Sequence, residues 1–120
     1  MTPKQMHEVV TKALSLIDDA SLRDCLAPLM VPPRCEMREW DYGASGERFA
    51  CWVVLEHQAS NTCIAYCEHG FGPADPWGLP PLSDPQPSIG PDSAWFSRLE
   101  DAFRQSAAWS GQNPSTYVIP

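Results

Sequence analysis

Between Phe49 and Ser97 the chain has no lysine or arginine, although Glu56, Glu68, Asp75, Asp84 and Asp92 all fall there. With a formal net charge of -7 and an isoelectric point near 4.7, this gap disfavours nucleic acid and anionic membrane surfaces as partners, because both are bound through basic patches. Other absences narrow the reading further. No apolar run approaches membrane-spanning length. The opening, "MTPKQMHEVVTKALSLIDD", is interrupted throughout by polar residues and lacks the basic-then-apolar layout of a secretory leader, so a cytoplasmic protein is expected. There is no G-x-S-x-G elbow, no G-x4-G-K-[ST] loop and no G-x-G-x-x-G fingerprint. The "GFG" at Gly70 to Gly72 is followed by Pro73 rather than by a helix start, so it reads as a turn and not as a phosphate cradle. No catalytic constellation stands out, and the expectation is a non-enzyme without a cofactor.

Five cysteines, Cys25, Cys35, Cys51, Cys63 and Cys67, form an odd set, which argues for reduced thiols rather than a disulfide framework. No tight C-x2-C pair exists. Cys63, Cys67 and His69 share one face of an extended strand, but Cys63 and Cys67 are about 13 Å apart at strand rise, too far for one zinc. A Cys–His nucleophile drawn from Cys51 or Cys67 with His57 or His69 is disfavoured, since apolar neighbours oppose the thiolate. A metal-free, reduced protein is expected.

What is present fits one α+β domain spanning residues 1–120, with 43% apolar and 19% charged residues. The order reads as a helical segment (1–31), a β-meander (34–69), a Pro/Gly-rich loop (70–90), a helix (91–107) and a tail (108–120). Thr2, Pro3 and Gln5 form a helix start with a capping box, and Met6, Val9, Val10, Ala13, Leu14 and Ile17 follow as one apolar stripe. Ser21 can cap a second short helix carrying Leu22, Cys25 and Leu26, and Pro32-Pro33 ends the helical part. "RCEMREWDY", "RFACWVVLE" and "NTCIAYCEH" read as three antiparallel strands joined by the short connections "GASGE" and "HQAS". The central strand is apolar on both faces: Phe49, Cys51, Val53 and Leu55 on one, Trp52 and Val54 on the other. It therefore predicts helices on one side of the sheet and a loop or partner on the other. Trp95, Leu99, Ala102 and Phe103 share a stripe of the last helix, and Thr116 to Ile119 is a short strand-like piece that can add to a sheet edge.

The loop "GFGPADPWGLPPLSDPQPSIG" is long for a compact domain, and such loops are commonly either functional or disordered. Phe71, Trp77, Leu79, Leu82 and Ile89 oppose disorder, and its prolines lower the entropy lost on fixing it. Phe71 and Trp77 are expected to dock as a lid over Trp52 and Val54. Glu68, Phe71, Asp75 and Trp77 are the candidate partner-binding residues, because rigid aromatics dominate interface energy and carboxylates steer basic partners. Trp77 reads equally as a core anchor, and acidic surfaces also serve solubility alone.

The stretches "YCEHGFGPADPWGL" and "IGPDSAWFSRLEDAF" together resemble small acidic bacterial proteins, including immunity proteins encoded beside toxins. The likeness runs from Tyr66 to Phe103 and implies a cytoplasmic stoichiometric binder, with no catalytic residue to carry over. Three functions therefore remain open. The first is a protein-binding module, such as a toxin-neutralising immunity protein, for a partner with a basic surface. The second is a small enzyme or ligand-binding protein with a pocket under the 70–90 loop. The third is a secretion-chaperone-like dimer. A monomer or a homodimer is compatible with all three.

Overall fold

The protein is described here from a computed structural model, covering residues 1–43, 46–84 and 87–119. Ala44 and Ser45 of the "GASGE" connection, Pro85 and Gln86 of the Pro/Gly-rich loop, and Pro120 of the tail lie outside the described residues. The order is α1 (Pro3–Ser15), α2 (Ala20–Leu26), β1 (Met30–Glu39), β2 (Arg48–His57), β3 (Thr62–Tyr66), β4 (Trp77–Gly78), β5 (Trp95–Phe96) and α3 (Leu99–Gln105). The class is α+β. The sheet is antiparallel and has five strands in the order β1-β2-β3-β4-β5, not the three expected. The two additional strands are short pieces, one inside the Pro/Gly-rich loop and one inside the stretch expected to be helix.

Local chemistry sets the helix starts. The α1 capping box forms as its residues predict: Gln5 N–H donates to Thr2 Oγ1 at 3.1 Å, and Thr2 N–H donates to Gln5 Oε1 at 2.7 Å. The α2 cap is Asp19 rather than Ser21. Leu22 N–H donates to Asp19 Oδ1 at 3.2 Å, and the Ser21 hydroxyl donates to the same oxygen at 2.8 Å, so the carboxylate takes the capping role and the serine supports it. Of the three residues read on that helix, Leu22 and Leu26 are buried and Cys25 is exposed. Pro32 and Pro33 do not lie before the first strand but within it. They have no N–H to give a ladder, which an edge strand tolerates, and the pairing slips there: the interval Met30 to Arg34 opposes Leu55 to Val53.

The sheet separates two cores. Met6, Val10 and Ile17 of the α1 region, Leu22 and Leu26 of α2, and Leu99, Ala102 and Phe103 of α3 cover one face with Trp52, Val54, Leu55, Ile64, Trp77 and Phe96. Cys51, Ala65, Cys67, Ile89 and Trp95 form the other core, flanked by Trp40, Phe49 and Phe71. Helices therefore lie on one side of β2 and loop on the other. Leu55 departs from strict alternation because Val53 pairs with Ala65 while Leu55 pairs with Ile64. The extra residue, Val54, is a β-bulge that turns Leu55 onto the helix face.

The last helix is shorter than its expected span. Pro91 is followed by a tight helical turn at Asp92–Ala94, then β5, and α3 begins only at Leu99. Trp95, read as part of that helix's stripe, packs in the core of the opposite face. Thr116 to Ile119 form no strand. The tail is instead pinned by polar contacts: Tyr117 Oη donates to Asp101 Oδ1 at 2.6 Å, and Arg104 Nη1 donates to Asn113 Oδ1 at 2.9 Å. Among the described residues, no helix is long and apolar enough to cross a membrane.

Candidate functional site

The four residues singled out from the sequence do not form one surface. Trp77 is only 4% exposed and belongs to the helix-side core, its ring edge-on to Tyr66 at 4.8 Å. Its register explains this: Trp77 pairs with Tyr66, and directly paired residues point to the same face. Phe71 goes to the opposite face, over Trp95 and not over Trp52 and Val54. Glu68 is exposed and borders a hollow of about 190 Å³ together with Met1, Cys35, Ala50, Trp52 and His69. Asp75 is half-buried and closes the turn carrying Phe71, its N–H donating to Phe71 O at 3.2 Å. The expected lid exists, but its two aromatics are split between the two faces.

Phe71 instead joins a group of rings assembled from three parts of the chain. Trp40 and Tyr42 come from the residues just after β1, Phe49 from the start of β2, and His69 and Phe71 from the turn after β3. Centroid distances are 5.0 Å for Trp40–Tyr42, 4.9 Å for Trp40–Phe71, 5.6 Å for Tyr42–Phe71, 5.8 Å for Trp40–Phe49 and 5.4 Å for Phe49–His69. The hairpin is closed beneath them by Trp40 N–H donating to Glu47 O at 2.8 Å. A Cβ on Gly43 would crowd the Trp40 ring, lying 2.6 Å from its Cδ1. The inner rings are half-buried, whereas Tyr42 is 61% exposed. Asp41, Glu47 and Glu68 are exposed along the same hairpin and turn, and among the described residues none of the three is ion-paired. The sequence reading missed Trp40, Tyr42 and Phe49. Their signal was the clustering of aromatics at both ends of one predicted hairpin connection.

The arginines of the sheet and α3 are occupied elsewhere. Arg38, buried in β1, donates to Pro81 O at 2.9 Å, Ser88 O at 3.2 Å and Glu36 Oε2 at 3.2 Å, which ties the Pro/Gly-rich loop to the sheet. Arg34 pairs with Glu36 and Glu56, Arg48 with Glu39, and Arg98 with Asp101. Arg104 has a side chain only 2% exposed, pairs with Asp19 at 3.1 Å and Glu100 at 2.8 Å, and lies against the rings of Trp109 and Tyr117.

Phe71 packs against the core formed by Cys51, Ala65, Cys67, Ile89 and Trp95. All five thiols are free. Burial pushes the Cys63 thiol up to about 11. The Cys51 thiol is raised by its hydrogen bond to Cys67 and then by burial, while that same bond and a second from the His69 N–H lower Cys67. Among the described residues, no group of three or more His, Cys, Asp or Glu side chains gathers to hold a metal ion. Compared with family models, with curated proteins and with solved structures, the chain matches none.

Proposed function

We propose that this chain is a cytoplasmic protein-binding module whose contact surface centres on Tyr42, Trp40 and Phe71, with Asp41, Glu47 and Glu68 at its margin. The observation that carries the reading is the ring cluster itself: large, rigid side chains held in mutual contact, with one of them largely exposed. Such a group loses little entropy on binding and suits an interface centre. A partner with a basic surface is favoured by charge, because Arg34, Arg38, Arg48, Arg98 and Arg104 are consumed in internal ion pairs while the marginal carboxylates are not. Occlusion of a toxin, the role implied by the resemblance across Tyr66 to Phe103, is the form of binding we favour. Asp75 contributes by fixing the turn, and Trp77 by holding that turn's far end in the core.

The test compares wild type with Tyr42→Ser and Glu47→Lys as baits in the host of origin, followed by affinity measurement on the purified partner. Tyr42→Ser is expected to weaken binding by about 2 kcal/mol without lowering the melting temperature. A specific partner that binds all three proteins alike sinks the proposal.

A further inference from the structure

Cys51 and Cys67 face each other across β2 and β3. Trp52 pairs with Tyr66 and Val53 with Ala65, so one step further the register sets Cys51 opposite Cys67. The type of pair also follows. Cys67 N–H donates to Pro76 O at 2.9 Å, and Cys63 N–H to Pro80 O at 3.2 Å, so the odd-numbered amides of this strand turn away from β2. Cys51 and Cys67 are therefore a non-hydrogen-bonded antiparallel pair, the arrangement that brings side chains closest, with Cβ atoms about 4.5 Å apart. A disulfide spans Cβ separations of about 3.5 to 4.5 Å. Both thiols are sealed, at 0% and 1% exposure. Cys67 nonetheless lies one residue beyond the end of β3, at the root of the turn carrying half-buried Phe71, so a peroxide would reach the sulfur by displacement of that turn.

We propose that Cys51 and Cys67 are an oxidisable dithiol, converted by a peroxide into a cross-strand disulfide beneath Phe71. Cys67 is the sulfur that reacts first, because it stands beyond the end of β3 at the root of the turn, whereas Cys51 lies inside the central strand β2. The Cys67 sulfur attacks the peroxide; an S–O bond forms, the O–O bond breaks, and water leaves with the Cys67 proton. The sulfur has lost two electrons and is a sulfenic acid. Cys51 then attacks that sulfur; the S–S bond forms, the S–O bond breaks, and the hydroxide departs with the Cys51 proton as a second water. Two thiols and one peroxide give one disulfide and two waters. Phe49 lies two residues before Cys51, His69 two residues after Cys67, and their rings touch at 5.4 Å. The bond would thus form directly under the aromatic surface.

The experiment uses the folded protein with exposed Cys25 and Cys35 changed to serine, treated with hydrogen peroxide and read by intact mass and peptide mapping. The expected result is loss of two hydrogen atoms, one linked peptide pair containing Cys51 and Cys67, and Cys63 fully alkylatable after denaturation. Under the same peroxide treatment, wild type is expected to oxidise at Cys25, which shows the reagent to be active. A bridge to Cys63, stable oxygen addition at Cys51 or Cys67 without a bridge, or three reduced thiols beside an oxidised Cys25 control each overturn the proposal. The order of attack has its own readout. Cys51→Ala should leave a Cys67 sulfenic acid that a 1,3-dione traps, and Cys67→Ala should leave none at Cys51; equal trapping in both overturns that order. The mapping of the protein that retains both cysteines does not depend on whether these two variants fold.

Discussion

Trp77 and Phe71 stand six residues apart in one loop and serve opposite faces of the sheet. Truncating Trp77 removes a buried ring from among Tyr66, Trp52 and Phe96. Trp77→Ala is therefore expected to cost about 3 kcal/mol or more, read as a lowered urea midpoint, whereas Tyr42→Ser at the exposed end of the ring cluster should leave that midpoint in place. The sequence placed both loop aromatics over Trp52 and Val54; Trp77 shares that core, whereas Phe71 lies on the opposite face. Residue parity assigns faces only once a register exists, and Trp77 takes its register from a two-residue strand that the prolines around it conceal. Asp19 gives a pH signature. Hydrogen bonds from Ser21, from the Leu22 N–H and from Arg104 hold its carboxyl down at about 2, against an ordinary 3.8. A carboxyl depressed in the folded state adds stability above its unfolded value, and that stability is lost as pH falls from 3.8 towards 2. Asp19→Asn should therefore narrow the difference in urea midpoint between pH 6 and pH 3, and an undiminished difference would show that the α2 cap is not part of the acid response.

Among the elements, β4 and β5 are held together by a contact that leaves no room for a side chain. A Cβ on Gly78 would enter the Trp95 ring directly across the pair. Gly78→Ala should cost about 2 kcal/mol by overpacking, measurable by chemical denaturation; a neutral result would mean that the Trp95 ring is free to move aside. The α3 region makes a second prediction. Arg104→Met strands Asp19 and Glu100 without their shared guanidinium and removes the anchor of Asn113. A lowered urea midpoint is expected, together with faster amide exchange in residues 109–119. The helices and β1 to β3 were legible because each carries enough residues for a period to show. The stretch after Pro91 was misread as helix because Trp95 and Leu99 happen to stand four apart. In the structure the exposed edge of β4 requires a partner, and Trp95–Phe96 supply it, so a tertiary hydrogen-bond demand overrides the helical pattern.

At the scale of the molecule, charge and layering act together. Helices cover one face of the sheet and the Pro/Gly-rich loop the other, as the doubly apolar central strand foretold, but with the faces exchanged: the helices cover Trp52 and Val54, and the loop covers Cys51. The aromatic surface was legible only in part: the rings at the two ends of the hairpin connection stand in the sequence, but their contact with Phe71 exists only after folding. With a net charge of -7, association with a basic partner should slow steeply as ionic strength rises. In stopped-flow measurements Glu68→Lys and Glu47→Lys should both lower the rate at low salt and flatten that slope; unchanged rates would remove electrostatic steering from the account. The strand order carries a further consequence. Each strand's neighbour in the sheet is also its neighbour along the chain, so no strand has to be inserted between two that are already paired. The sheet can be assembled by successive addition at a single growing edge, β3 onto the hairpin, then β4, then β5, in the order in which a ribosome delivers them. The helix-side core cannot close in the same way. Met6, Val10 and Leu22 are made first, yet Leu99, Ala102 and Phe103, which pack in the same cluster, arrive last. A nascent chain that has just extended past Tyr66 would therefore hold a paired hairpin with an uncovered apolar flank, and its commitment to the final structure waits on the last helix.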